Sequence, residues 1–124
     1  KDVNVMVKYL TEIQERLSGV VIENKDFQDL LKVYDKEEGL IYLDPPYYGT
    51  ERYYQVQFSK EDHMRLFECL KKVKGKFILS YNDCEFIREL YKDFNIDGVE
   101  RNHNLVGKYK DKEHRYGELI IRNY

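Results

Sequence analysis

Asp44-Pro45-Pro46-Tyr47 sets a carboxylate, two residues without a backbone N–H and an aromatic ring in four consecutive positions. Proline fixes φ and removes a donor. The carbonyls of Asp44 and Pro45 therefore flank a stiff exit in which no local N–H need consume them. A carboxylate beside a carbonyl matches a donor with two hydrogens, such as an amine on an aromatic ring. Tyr47 offers a flat face on which a base can stack.

That combination suits methylation of an exocyclic amine. Such an amine is a poor nucleophile because its lone pair is delocalised into the ring. Accepting both of its hydrogens favours a pyramidal nitrogen whose lone pair points at an incoming methyl group. Stacking fixes the line of attack, and positioning of this kind lowers a barrier by on the order of several kcal/mol. No strong base is needed, because the nitrogen becomes acidic only after the methyl arrives. A proline turn with a surface tyrosine is the plain alternative. The apolar run Leu40-Ile41-Tyr42-Leu43 immediately before Asp44 favours chemistry, since it sets the acid at the end of a buried strand.

The elements that must position this segment follow from periodicity. Residues 2 to about 18 carry an apolar stripe, Val3, Val7, Leu10, Ile13 and Leu17, that predicts a helix stopped at Ser18-Gly19. Val20-Val21-Ile22 is β-branched and predicts a strand. Phe27 to Tyr34 predicts a short helix, and Leu40 to Leu43 the next strand. Residues 47–58 are expected to form a tyrosine-rich loop. Ser59 with Asp62 three residues on resembles a capping box, opening a helix that ends near Gly75. Phe77-Ile78-Leu79 begins a third strand, after which Asp83 is the expected cap of a helix bearing Phe86, Ile87, Leu90 and Tyr91. Ile96 to about Leu105 is expected to pair with Leu119-Ile120-Ile121 as a terminal hairpin. Short apolar strands alternating with helices imply an α/β fold with a parallel sheet. Chemistry in such sheets gathers at the carboxyl ends of strands. Asn24-Lys25-Asp26, Asp44 to Tyr47, and Ser80-Tyr81-Asn82-Asp83 all fall on that edge.

Composition sets the limits. The 124 residues suit one domain, and 21 Lys/Arg against 23 Asp/Glu leave a formal charge of −2, which argues neither for nor against nucleic acid. Local charge says more: Arg101, Lys108, Lys110, Lys112 and Arg115 face only Asp111 and Glu113 over residues 101–115. A solvated loop is the plain reading of that run. Cys69 and Cys84 are the only cysteines, and with three scattered histidines they give no zinc spacing. No apolar run approaches the roughly 20 residues of a membrane span, so a cytoplasmic, non-membrane protein is expected.

The segments GVVIENKDF, LIYLDPPYYGTERYY, DHMRLFECL, GKFILSYND and the terminal ELIIRNY follow one order and spacing. In these the chain resembles the Dam-like, D12 class adenine-specific DNA methyltransferases over nearly its whole length. The resemblance implies a Rossmann-like sheet, S-adenosylmethionine as methyl donor, and a flipped adenine in DNA as target. It implies that Asp44 and the Pro45 carbonyl hold the target amine, with Asp44 also facing the cofactor, that Pro46 stiffens the turn, and that Tyr47 stacks on the base. Asp26 matches the acid that bonds the cofactor's adenine amine, and Phe27 packs or donates its backbone N–H beside it. An N-cap is the other reading of Asp26. Tyr48, Tyr53 and Tyr54 would close over the base, with ordinary loop packing as the alternative for the last two. Lys108 and Arg115 would touch phosphates.

The family's glycine-rich cofactor motif should precede Asp26, yet no glycine occurs before Gly19 and the chain opens on Lys1. An acid for the cofactor ribose and a target-recognition segment are missing as well. The resemblance therefore implies a partial Rossmann-like sheet with flanking helices and a C-terminal hairpin, lacking the first two strands. The expected unit is a single domain, 1–124, the carboxyl-terminal portion of a catalytic domain that is inactive alone. A remnant that binds nucleic acid or protein, or an enzyme acting on RNA, is the alternative. The two strands deprived of neighbours are expected to pair directly, or to be completed by self-association or by the amino-terminal half.

Overall fold

A computed structural model describes residues 3–50, 58–101 and 116–124. Helix α1 (Val3–Leu17) and helix α2 (Phe27–Tyr34) precede strand β1 (Leu40–Leu43). Helix α3 (Lys60–Leu70), strand β2 (Lys76–Asn82), helix α4 (Glu85–Leu90), and strands β3 (Asn95–Arg101) and β4 (Tyr116–Arg122) follow. The result is a mixed α/β fold with one four-stranded sheet in the order β1-β2-β4-β3.

The β1-α3-β2 crossover makes the one parallel pairing among the described residues, Leu40 opposite Lys76 through Leu43 opposite Leu79. β4 runs antiparallel to both β2 and β3, so the expected terminal hairpin is present, with Ile96 opposite Ile121. Residues directly opposite share a face. Ile41, Phe77, Leu79, Tyr81, Leu119 and Ile121 thus point to one side, where Leu66 and Leu70 of α3 and Ile87 of α4 complete the core. The other face carries Leu40 and Tyr42, 60% and 64% exposed.

Local sequence explains the helix starts. Ser59 accepts from the Asp62 N–H, and Asp62 accepts from the Ser59 N–H at 2.9 Å, a complete capping box for α3. Asp26 caps α2 by accepting from the Gln28 N–H at 2.9 Å. At the other end of α2, Asp35 accepts from the backbone N–H groups of Lys74 and Gly75, tying that helix to the entry of β2.

Two expectations are corrected. Val20-Val21-Ile22 forms no strand, and its side chains are 53%, 74% and 81% exposed. A β-branched run becomes a strand only when a neighbour takes its N–H and C=O groups, and among the described residues no strand lies beside it. Direct pairing of this run with Leu40–Leu43 does not occur; among the described residues β1 is bonded on one side, to β2. Asp83 does not cap α4. Its carboxylate takes both Nε and Nη2 of Arg88, at 2.6 and 2.8 Å, and Cys84 occupies the cap position with no side-chain bond. α1 forms as expected but buries none of its residues.

Burial separates the two kinds of apolar residue sharply. Leu79→Ala should cost about 3 kcal/mol, because the side chain is wholly enclosed at the centre of the sheet. Ile22→Ser should change the stability of the 124-residue chain by less than about 0.5 kcal/mol. Urea denaturation of the two variants checks both; equal losses would contradict the placement of the core.

Candidate functional site

The register of β1 on β2 builds the site. Leu43 lies opposite Leu79, so the next residues, Asp44 and Ser80, emerge side by side. The Ser80 hydroxyl donates to Asp44 Oδ1 at 2.7 Å. Ser80 is buried while Asp44 is exposed, so a fixed interior donor aims an accessible carboxylate. Oδ2 and part of Oδ1 remain to accept from another group.

Two residues along β2, Asn82 grips the loop that follows. Its Oδ1 accepts from the Tyr48 N–H at 2.9 Å, and its Nδ2 donates to the Tyr48 carbonyl at 3.1 Å. Glu118, opposite Asn82 in the β2–β4 ladder, accepts from the Tyr47 hydroxyl at 2.6 Å. Gly49, at φ +82°, lets the chain turn so that Thr50 closes back on the Tyr47 carbonyl through its N–H and its hydroxyl. A left-handed residue there is cheap only for glycine. Asp44, Tyr47 and Tyr48 are thus each held by a side chain from the neighbouring strands.

Tyr48 packs toward the core. Its ring stacks on Phe86, with centroids 4.2 Å apart, and meets the buried His63 edge-on at 5.4 Å. His63 Nδ1 in turn lies 2.6 Å from the Tyr81 hydroxyl. This aromatic packing, together with the Asn82 grip, makes Tyr48 a wall of the core. Tyr53, Tyr54, Lys108 and Arg115 lie outside the described residues.

A cavity of about 460 Å³ runs along β1 beneath α2, and its lining includes Phe27, Leu31, Ile41, Leu43, Asp44 and Pro45. It brings Phe27 to the Asp44-Pro45 step across 17 residues of sequence. Neither Asp26 nor Tyr47 lines it. Asp26 instead meets Arg65 of α3 in a two-pronged bond, Nη1 to Oδ1 at 2.7 Å and Nη2 to Oδ2 at 2.9 Å. Arg65 also donates to Asp62 at 2.9 Å and lies over the Phe27 ring, 4.2 Å from its centroid. The N-cap reading of Asp26 therefore holds, and a second use of its carboxylate is added.

Sequence reasoning missed Arg65 and Glu118. The spacing of Arg65 from Asp62 along α3 was a readable signal; its partner 39 residues upstream was not. Nothing local marks Glu118 as the partner of a tyrosine 71 residues away.

A family model described as D12 class N6 adenine-specific DNA methyltransferase matches residues 3–105. The Type II methyltransferase M.CviBI of Paramecium bursaria Chlorella virus NC1A is 32% identical over 117 residues, which cover 87% of this chain and 43% of that protein. The Type II methyltransferase M1.LlaDCHI of Lactococcus lactis subsp. cremoris is 33% identical over 137 residues, covering 100% of this chain and 47% of that protein. The chain thus spans less than half the length of these curated relatives. Among the described residues, no helix is long and apolar enough to cross a membrane.

Electrostatics of the α2–α3 junction give a pH signature. The Arg65 bond, then the Gln28 N–H, hold Asp26 below the ordinary carboxylate range. The Ser59 N–H, then Arg65, do the same for Asp62. A depressed carboxylate contributes stability that is present above its unfolded pKa of about 4 and is lost as pH falls through its lower folded value. Both groups are partly solvated, so the contribution is small. The urea midpoint should fall on acidification below about pH 4, and Arg65→Met should make that fall shallower. Identical acid profiles for the two proteins would contradict the assignment.

Proposed function

Because the chain belongs to the D12 class N6 adenine-specific DNA methyltransferase family, we propose that it contributes the target-adenine site of a longer enzyme. That enzyme methylates the N6 amine of adenine in DNA, in a restriction–modification or phage setting. The observation that carries the reading is the accessible Asp44 carboxylate at the end of β1, aimed by the Ser80 hydroxyl at 2.7 Å; the Pro45 carbonyl is the second acceptor in this reading. No backbone N–H arises at either proline. The target amine gives one hydrogen to Asp44 and one to Pro45 O. Its nitrogen is thereby pyramidalised, and Tyr47, fixed through its hydroxyl by Glu118, offers its ring to the base.

The cofactor of this reading is S-adenosylmethionine, and the residues suit its adenine end. Phe27 opens α2, where a helix has no internal acceptor for its N–H. Asp26 supplies an acceptor next to that donor. An adjacent donor and acceptor complement the ring nitrogen and amine of adenine, and the Phe27 ring lines the apolar cavity that runs to Pro45. When bound, the cofactor supplies an electrophilic methyl group. Asp44 would keep its hold on the target amine in line with that methyl group, and the amine's surplus proton would leave to solvent without a base from these residues.

The remaining parts fall outside these residues. The unbonded side of β1 and the exposed Val20–Ile22 run are completed by the rest of the enzyme or by another chain. Lys108 and Arg115, in the basic run of 101–115, contact phosphates. The 124 residues alone bind cofactor weakly, through the adenine end.

Methyl transfer to DNA by the full-length protein tests this. Asp44→Ala and Tyr47→Ala should each lower kcat roughly a hundredfold or more. Ser80→Ala should lower kcat about tenfold with KM little changed, because it loosens the aim of Asp44 and removes no contact to the base. Near-normal turnover by Asp44→Ala would overturn the reading.

A further inference from the structure

Asp26 has a countable set of acceptor sites. A carboxylate offers about four, two on each oxygen. Oδ1 takes the Gln28 N–H and Arg65 Nη1, which fills it. Among the described residues, Oδ2 takes Arg65 Nη2 alone. One acceptor position remains, and it is on Oδ2.

The guanidinium that leaves this single opening is itself fixed from three directions. Asp62 holds Nη2 at 2.9 Å, and Asp62 is locked into the capping box with Ser59. Gln28 Oε1 takes Nη1 at 3.3 Å. The Phe27 ring supports the guanidinium plane from below at 4.2 Å. A planar fork bonded on both prongs sets the rotation of the carboxylate as well as its place, which a point charge cannot do. The chain of contacts runs from the start of α3, through Arg65, to the acid and the ring at the start of α2.

Resting on the cofactor reading of Asp26 and Phe27, we infer that Arg65 is a positioning residue for recognition of the cofactor's adenine: it turns Asp26 so that one acceptor on Oδ2 meets the exocyclic amine. Arg65 does not touch the cofactor in this account. It selects adenine by leaving one oriented acceptor where an amine hydrogen must arrive. A ring bearing a carbonyl in place of the amine would set oxygen against oxygen there and be refused. Arg65 is thus a specificity-determining group, and its loss removes the preference more than the binding.

The test is calorimetric titration of the full-length protein with S-adenosylhomocysteine and with its hypoxanthine counterpart, S-inosylhomocysteine. The unaltered protein should prefer the amine-bearing compound by roughly a hundredfold or more, since a site built for a hydrogen bond rejects a ligand that cannot make it. Arg65→Met, which keeps an apolar stem over Phe27, should weaken S-adenosylhomocysteine about tenfold and leave the hypoxanthine compound within about twofold. Arg65→Lys should not restore the preference. Equal weakening of both compounds by Arg65→Met would mean that Arg65 only supports the fold, and unchanged preference would mean that it does not orient Asp26; either overturns the proposal. The underlying reading fails separately. If Asp26→Ala leaves the preference of the protein intact, Asp26 does not read the amine, and the role of Arg65 falls with it.

Discussion

The parallel pairing of β1 with β2 is the constraint on which the rest of the site depends. Among the described residues the four residues of β1 have one bonded neighbour, and the register of that pairing decides what stands beside Asp44. With Leu43 opposite Leu79, the acid meets the Ser80 hydroxyl. A slip of one residue would turn Ile41 and Leu43 away from the core and would carry Asp44 past its donor. The hydrophobic pattern therefore fixes what stands beside the acid: Ile41 and Leu43 must share a face with Phe77 and Leu79, and the observed register does this.

From that register the remaining polar contacts follow in steps of two along β2. Ser80 serves Asp44, and Asn82 serves Tyr48. β4 extends the same logic by one strand, since Glu118 stands opposite Asn82 and reaches Tyr47. Each loop residue is thus anchored to a strand residue whose own position is set by a ladder. The proline pair adds stiffness that needs no partner. A second, separate arrangement joins the helix starts, where Asp26, Asp62 and Arg65 share charge at the surface. The apolar cavity between α2 and β1 connects the two arrangements through Phe27, Asp44 and Pro45.

Features governed by near neighbours in sequence were legible. The capping box at Ser59, the span of α2, the four residues of β1 and the final hairpin all appear where residue pattern sets them, because their deciding contacts lie within a few residues or along one apolar periodicity. Features governed by distant partners were not. Val20-Val21-Ile22 carries every local mark of a strand and forms none, since a strand is completed by its neighbour. Asp83 follows a strand as a cap should, but Arg88 offers it a two-pronged charged partner that outweighs the cap. The place of Asp44 at the end of β1 could be read directly from the apolar run before it. That Tyr48 turns inward onto Phe86 could not, because the rings that receive it come from two separate helices, α3 and α4.

The most direct measurement is a crystal structure of the full-length protein with S-adenosylhomocysteine and a duplex carrying its target adenine. The account predicts that the target N6 lies about 3 Å from both an Asp44 carboxylate oxygen and the Pro45 carbonyl. It also predicts that Ser80 is still bonded to the other side of Asp44 and that the Tyr47 ring lies against the base. A target amine held by other residues, with Asp44 bonded to Ser80 and facing away from it, would contradict the account.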